Sequence, residues 1–530
     1  MDRRQFLGAL AVAGVTAACA GGSDDDGASD STTSSTTPAT PADAALPRGV
    51  FALGVASGDP LSDRVMLWTR LASDPLVEGG GSPQGDVEVA FDVALDADFE
   101  QLVVSGIATA TDDLAHSVHV DVSGLEPDTW YHYRFRAGDQ TSPVGRTRTF
   151  PAEGASPEQF RFVFASCQDL QWGEYGAWGR AAELSDVDAV VFLGDYVYEL
   201  NLGDLSPDQS ARRAWAGPPP ETVVDYRRRY AQTKADLQLQ AAHEMAPWIV
   251  TFDDHEVSNN YAGDVGQSDI DQPASRDRRL AAYQAWYEHT PIRLDPAPTE
   301  FAELDVHRSF DFGDLARVYA IETRQRADVP ACRTDGSLVS DEGPLCEDAE
   351  DETRSNLGAD QEQWLADALA DSTTTWNVLA NPIMLAGLNL GTAAEPSFTR
   401  DAWDGYPAAR RRLLRAIQGS GVSNPVTVTG DWHASFVLDV TAEPGGPVVM
   451  PEFLASSIST VLFSTDYRAE NPHVRYFVAE HGYGLVTITP EELRCEFQYV
   501  DDVWDPDAQI SHSDAWVVRN GEHVAEPAPA

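Results

Sequence analysis

The sequence predicts an all-β N-terminal domain followed by a larger α/β domain with an at least partly parallel sheet. Two observations carry this. Between residues 47 and about 152, alternating runs rich in Val, Tyr and Phe are separated by Gly, Pro and Asp turns, the pattern of half-buried strands. From about 160, short apolar runs alternate with longer helix-patterned stretches, as in sheets covered on both faces. The 530 residues leave room for two to four domains at about 150 residues each. The 42% hydrophobic content excludes a wholly disordered chain, which would lack the apolar surface to offset its ordering entropy. With 36 Lys+Arg against 85 Asp+Glu the formal net charge is −49, which excludes the usual nucleic-acid binder, since such proteins bring cations to phosphates. For most of the acids the reading is solubility in a salty medium. For a few it is the holding of hard cations. The chain has a single lysine, Lys234.

Taken in order, residues 1–21 resemble a twin-arginine export signal: Arg3-Arg4 precede Phe6-Leu7 and an apolar run from Gly8 to Ala20. That run is too short and too rich in Ala and Gly for a membrane span. No later stretch approaches about 18 uninterrupted apolar residues. Ala17-Ala18-Cys19 resembles a lipoprotein cleavage box, with Thr16 where Leu is usual, and Ala18-Cys19-Ala20 also fits an ordinary small-x-small site. Residues 22–46, rich in Asp, Ser, Thr and Pro, read as a disordered tether, which suits a lipid anchor at Cys19. Strands of the 47–152 domain are expected at Val65–Thr69, Val87–Val93, Ser117–Val122 and Trp130–Phe135. Gly124-Leu125-Glu126-Pro127-Asp128-Thr129-Trp130-Tyr131 resembles a phrase of fibronectin-III-like sandwiches.

In the 153–505 domain the buried strands are expected at Phe160–Ala165, Ala189–Leu193, Trp248–Phe252, Arg317–Ile321, Trp376–Ala380 and Pro425–Thr429. Helices are expected at Val223–His243, Arg276–Glu288, Asp360–Asp371 and Ala408–Gln418. Residues 506–530 read as a polar C-terminal tail. Cys332 and Cys346 flank a polar segment, and a disulfide there suits an oxidising compartment.

The chemistry lies at the strand ends. Phe162–Ala165 leads into Ser166-Cys167-Gln168, and Val190–Leu193 into Gly194-Asp195-Tyr196-Val197-Tyr198-Glu199. Ile249–Phe252 leads into Asp253-Asp254-His255-Glu256, and Val426–Thr429 into Gly430-Asp431-Trp432-His433. Ligands of open α/β sheets bind beyond the carboxyl ends of the strands, so four strands deliver Cys, Asp, Tyr and His to one rim. Singly, each has a bland reading: an inert buried Cys, a core Tyr, a turn Gly-Asp. Together they require four coincidences at equivalent positions. A thiolate, a phenolate and a carboxylate on one ion balance a trivalent cation such as Fe(III). A second position lined by carboxylates suits Ca²⁺ or Mg²⁺. An Asp shared between the two ions gives the spacing used in phosphoryl transfer, about 3.5–4 Å.

These phrases, together with Gly54–Pro60, Leu67-Trp68-Thr69-Arg70, Tyr226–Ala231, Val257–Tyr261 and Asp404–Pro407, resemble the PhoD-type alkaline phosphatases, a branch of the metallophosphoesterases. The resemblance implies a fibronectin-III/Ig-like sandwich before a four-layer α/β/β/α catalytic domain. It implies one Fe(3+) held by Cys167, Asp195, Tyr198 and His433, with Asp195 bridging to one or two Ca(2+) held by Asp254 and Asp431, Asp253 being a further candidate. His255 would face the substrate and, with Asp254, serve catalysis. The usual metallophosphoesterase opening Asp-x-His is absent, and Cys167 stands in its place. The implied chemistry is in-line attack by a metal-activated hydroxide on phosphomonoesters and phosphodiesters, with Arg229 and Arg324 as candidate phosphate clamps. The expected setting is extracytoplasmic phosphate acquisition by a monomer exported through the twin-arginine machinery, with a possible membrane tether at Cys19. Two alternatives stand beside it: a phosphodiesterase of the phospholipase D kind acting on phospholipid or teichoic acid, and a non-catalytic surface metal-binding protein.

Overall fold

Phe160–Gln168 is the pivot of the larger sheet, and its sequence shows why it is buried on both sides. Phe160, Phe162 and Phe164 face one apolar layer, while Val163, Ala165 and Cys167 face another. The computed structural model describes residues 46–82, 85–201, 212–265, 274–332 and 342–529. The export-signal, tether and Cys19 expectations therefore lie outside the described residues.

Among the described residues the larger sheet has eleven strands. From Phe160–Gln168 it runs one way through Ala189–Phe192 and Trp248–Val250, both parallel. The other way it runs through Gly482–Ile488, Glu492–Val500 and Ile510–Arg519, all antiparallel. Among the described residues a second sheet has seven strands, ordered Arg308–Phe312, Ala316–Ala320, Trp376–Asn381, Pro425–Thr429, Val448–Leu454, Ser435–Thr441 and Val474–Val478. The two sheets pack face to face through Phe162, Phe164, Val318, Val378, Val428 and Phe453. Helices Gly176–Ala182, Val223–Lys234, Leu237–Met245 and Ala274–His289 cover the outer face of the first sheet. Ala359–Ala370 and Pro407–Ser420 cover that of the second. This is the four-layer α/β/β/α arrangement.

The stretch Val223–His243 is two helices rather than one. Asp236 has an extended backbone and its carboxylate accepts the Gln238 and Leu239 N–H groups at 2.9 and 3.2 Å, so it caps a new helix where the apolar periodicity runs on. The residues from 506 onward are not a tail: Ile510–Arg519 is a ten-residue strand paired with Glu492–Val500. The antiparallel strands after residue 435 also add much β structure that the apolar runs of the sequence do not mark.

Val87–Ala94, Leu102–Ala110 and Trp130–Ala137, with two short strands, form a five-stranded sheet among the described residues. It packs on Val55–Gly58, Arg64–Arg70 and Ser117–Ser123 through Val65, Leu67, Phe91, Val93, Val118 and Tyr133. Within the sandwich, the Tyr131 hydroxyl accepts the Glu126 N–H at 2.9 Å, the corner contact typical of such folds. The second layer of the sandwich continues into the eleven-stranded sheet: Gly58 registers with Trp248, and the Asp59 N–H donates to Trp248 O at 3.0 Å. Asp59 is 1% exposed and takes Arg308 Nη2 at 2.8 Å, while Trp68 Nε1 donates to Glu288 O at 2.9 Å. The Gly54–Pro60 and Leu67–Arg70 phrases thus join the β region to the larger sheet.

Candidate metal centre

Three parallel strands of the first sheet and one of the second end at a common rim, and the backbone is bent hard there. Cys167, Asp195, Asp431 and His433 have φ of 60, 59, 68 and 56°. For non-glycine residues such left-handed conformations cost on the order of 1–3 kcal/mol each and gather at functional sites. Two glycines permit the close approach. A Cβ on Gly194 would stand 2.5 Å from Asp253 N, and one on Gly430 would stand 2.4 Å from Ser166 Oγ.

Ligand atoms of Cys167, Asp195 and His433 lie within 4.8 Å of one another, and so do those of Asp195, Asp254 and His255. Asp195 belongs to both groups. The Tyr198 hydroxyl donates to Asp195 Oδ2 at 2.9 Å and lies 3.4 Å from His433 Nε2. The Asp431 main chain hydrogen-bonds the Cys167 sulfur, and its carboxylate acts on both Cys167 and Asp195. Asp254 Oδ2 accepts the Asn260 N–H at 2.6 Å, while its buried Oδ1 has no hydrogen bond.

One expected role is corrected and one is narrowed to a single group. Arg324, read as a phosphate clamp, is 3% exposed and locked between carboxylates: Nε bonds Asp253 Oδ1 at 2.5 Å and Nη1 bonds Asp401. A guanidinium so engaged has no open fork for substrate, and its partners lie 71 and 77 residues away in sequence. Asp253 correspondingly offers only Oδ2, which is buried without a hydrogen bond. Arg229 stacks over Trp215 at 4.5 Å, and its Nη2 bonds Asn201 Oδ1 at 2.6 Å and Pro218 O at 3.0 Å. Its Nη2 is thereby occupied, while its Nη1 is buried without a hydrogen bond, so any phosphate contact would fall to Nη1. Cys332 and Cys346 are joined by a disulfide.

Two site residues lie inside the strand-end motifs without a role that the sequence suggests. Glu199 Oε2 is 2.7 Å from His255 Nδ1, and its Oε1 accepts the Asn259 N–H at 2.6 Å. Glu256 accepts the N–H groups of Tyr196 at 2.6 Å and of Asp195 and Asp253 at 3.0 Å each. It therefore ties two strand-end loops together. Their acidic character is the available signal, but partners of both lie about sixty residues away.

The electrostatics favour cations. Burial, then Asp254, Glu256 and Asp431, push the Asp195 carboxyl well above the ordinary range, with His255 opposing. Burial and then Asp195 raise the Cys167 thiol and the Tyr198 phenol. Burial would lower the His255 imidazole, but Asp254, Glu199 and Asp195 outweigh it and hold it well above its usual value. The Cys167 thiol, the Tyr198 phenol and the Asp195 carboxyl would therefore keep their protons unless positive charge stands among them, whereas His255 and Arg324 hold Asp254 charged. With the unbonded Asp254 and Asp253 oxygens, the donor set fits two cations, a thiolate–phenolate–imidazole position and an oxygen-lined one.

Comparisons with known proteins agree with this geometry. The family model described as PhoD-like phosphatase matches residues 162–497, and that of the PhoD-like phosphatase N-terminal domain matches residues 35–151. Alkaline phosphatase D of Bacillus subtilis (strain 168) is 41% identical over 482 residues, covering 89% of this chain and 81% of that protein. A solved structure described as "Structure of PhoD" superposes with a TM-score of 0.86 at 39% identity, covering 93% of this chain and 94% of that chain.

Proposed function

The chain belongs to the PhoD-like phosphatase family, a family of metal-dependent phosphoric ester hydrolases, and we propose that it cleaves phosphomonoesters and phosphodiesters outside the cytoplasm with one Fe(3+) and one or two Ca(2+). The observation that carries the reading is the sharing of Asp195 between the Cys167–His433 group and the Asp254–His255 group. Cys167, Asp195, Tyr198 and His433 hold the trivalent ion. Asp195, Asp254 and Asp431 hold the divalent one, with Asp253 Oδ2 as an added oxygen. When bound, the cations supply Lewis acidity, lowering the pKa of water and neutralising phosphoryl oxygens.

The residues of the chain set the geometry. Glu256 fixes the Asp195 and Asp253 loops to each other. Arg324 bonds Asp253 at 2.5 Å and stands 3.9 Å from Asp254, and each of these carboxylates keeps one oxygen without a hydrogen bond that can serve a cation. Glu199 holds His255 Nδ1, leaving Nε2 to hydrogen-bond a phosphoryl oxygen or to protonate the departing alkoxide. The Tyr198 ring lies 4.1 Å from the His255 ring and fixes its plane.

Export is supported by the Arg3-Arg4 signal pattern and by the Cys332–Cys346 disulfide, which suits an oxidising compartment. No helix among the described residues is long and apolar enough to cross a membrane. Phosphate acquisition is the role that fits an exported phosphatase. Discrimination between esters is assigned to the segments 201–221 and 326–358, of which 202–211 and 333–341 lie outside the described residues.

The deciding experiment is metal analysis of the protein purified without added metal, together with Cys167→Ala. The wild type is expected to carry iron and a visible charge-transfer band from Tyr198, and the variant to lose both along with turnover of aryl phosphate. Full turnover in the variant overturns the iron assignment. Turnover of aryl phosphate against bis-aryl phosphate measures the ester preference.

A further inference from the structure

We propose that the cleft between the N-terminal β region and the helix Val223–Lys234 is a second binding site, separate from the metal centre, for a small phosphate-type anion. A cavity of about 450 Å³ opens there, within the range of small-molecule sites, which favour such boundaries. Arg70, Arg227 and Arg228 line it from both sides, with His116 beside them.

The three arginines differ in how far they are answered. Arg227 is answered in full: its Nε and Nη2 take Glu288 at 2.7 and 2.5 Å. Arg228 is answered in part, with Nε on Leu76 O at 3.1 Å and Nη1 3.5 Å from Asp225. Arg70 is 2% exposed, bonds Ala115 O and His289 Nε2 at 2.8 Å each, and makes no ion pair among the described residues. A guanidinium buried without a carboxylate partner is costly unless a charge of opposite sign joins it. Burial pulls the Arg70 pKa down to about 10, with Glu288 opposing and Arg227 adding to the fall.

The acids of the cleft narrow the ligand. Asp112 is 3.2 Å from His116 and Glu78 stands on the wall, so a uniformly negative ligand is disfavoured. The arrangement suits an anionic head on Arg70 and Arg228 with a neutral, hydroxyl-bearing body beside Asp112. Two guanidinium groups with remaining capacity match the several acceptor oxygens of a phosphate dianion better than a single carboxylate does.

Equilibrium dialysis of the metal-loaded enzyme with labelled inorganic phosphate tests this. The wild type is expected to bind two phosphates per chain, one at the metal centre and one in the cleft. Arg228→Gln is expected to weaken the cleft site at least ~10-fold, equivalent to about 1.4 kcal/mol, while aryl phosphate turnover is unchanged. Should Arg228→Gln lose turnover as well, Val77→Trp replaces it, filling the cavity from its half-open wall without removing a charge. The non-hydrolysable glycerol phosphonate binding more tightly than inorganic phosphate identifies an ester-type ligand, and equal affinity identifies free phosphate. A single phosphate per chain in the wild type up to about 10 mM, a cleft affinity unmoved by both variants, or acetate binding as well as phosphate overturns the proposal.

Discussion

Replacing Lys234 by methionine should stabilise the protein near neutral pH and remove a specific pH dependence. Lys234 is 2% exposed, with Nζ 4.3 Å from the Trp68 ring centre and 3.3 Å from His243 Nε2. Burial pulls its pKa from 10.5 down to about 7. Below pH 7 folded and unfolded states both hold the proton, and the cost of the buried charge is constant. Between about 7 and 10.5 only the unfolded state holds it, so stability rises with pH by about 1.4 kcal/mol per unit. Methionine fills the same apolar cage without a charge. From pH 7.5 to 9.5 the wild type should gain roughly 2–3 kcal/mol on the variant. The assay is urea unfolding of both proteins at the two pH values, other titrating groups cancelling in the difference. A gap between the two proteins that stays constant from pH 7.5 to 9.5 refutes the argument.

Other outcomes are expected at the centre and in the loops. Asp253→Asn should destabilise the fold by roughly 1–3 kcal/mol, the cost of weakening one buried charged hydrogen bond, because Asp401 keeps the Arg324 charge paired. Asp254→Asn should instead abolish turnover and calcium binding with a smaller loss of stability; denaturation midpoints and metal content distinguish the two. Glu199→Gln should retain iron yet lower kcat by ~10–100-fold, the usual effect of removing a supporting partner, and unchanged kcat speaks against His255 orientation by Glu199. Cys332→Ser opens a loop closed over a separation of 14 residues, and should cost about 3 kcal/mol while leaving turnover intact.

The strands that carry the centre were legible because burial on both faces makes them uninterrupted apolar runs, as in Phe162–Ala165 and Val190–Phe192. The residues just beyond such a run fall on the rim, so Cys167, Asp195, Asp254 and His433 could be found from position alone. The antiparallel strands after 435 were harder to see. Glu492–Val500 alternates buried and half-buried residues with Arg, Glu and Gln among them, and nothing in that pattern names its neighbours. Glu256, to which the sequence assigns no role, and Arg324, which it reads as a clamp, share a reason. One serves backbone N–H groups sixty residues distant and the other is neutralised by two far-off aspartates, and such pairings exist only after folding. Asp236 was readable in principle as a cap, but the apolar period continues through it and favoured one helix over two.

The join at Gly58 and Trp248 has a practical corollary. A shortened polypeptide beginning after Phe150 would leave the Trp248–Val250 strand with a bare hydrogen-bonding margin, and would uncover the buried Ala231, Lys234 and His289 that Trp68 packs against. Unpaired margins of this kind recruit other chains. The hydrolytic half expressed by itself should therefore be recovered as aggregate, and supplying the missing half in trans should restore solubility only by rebuilding that seam.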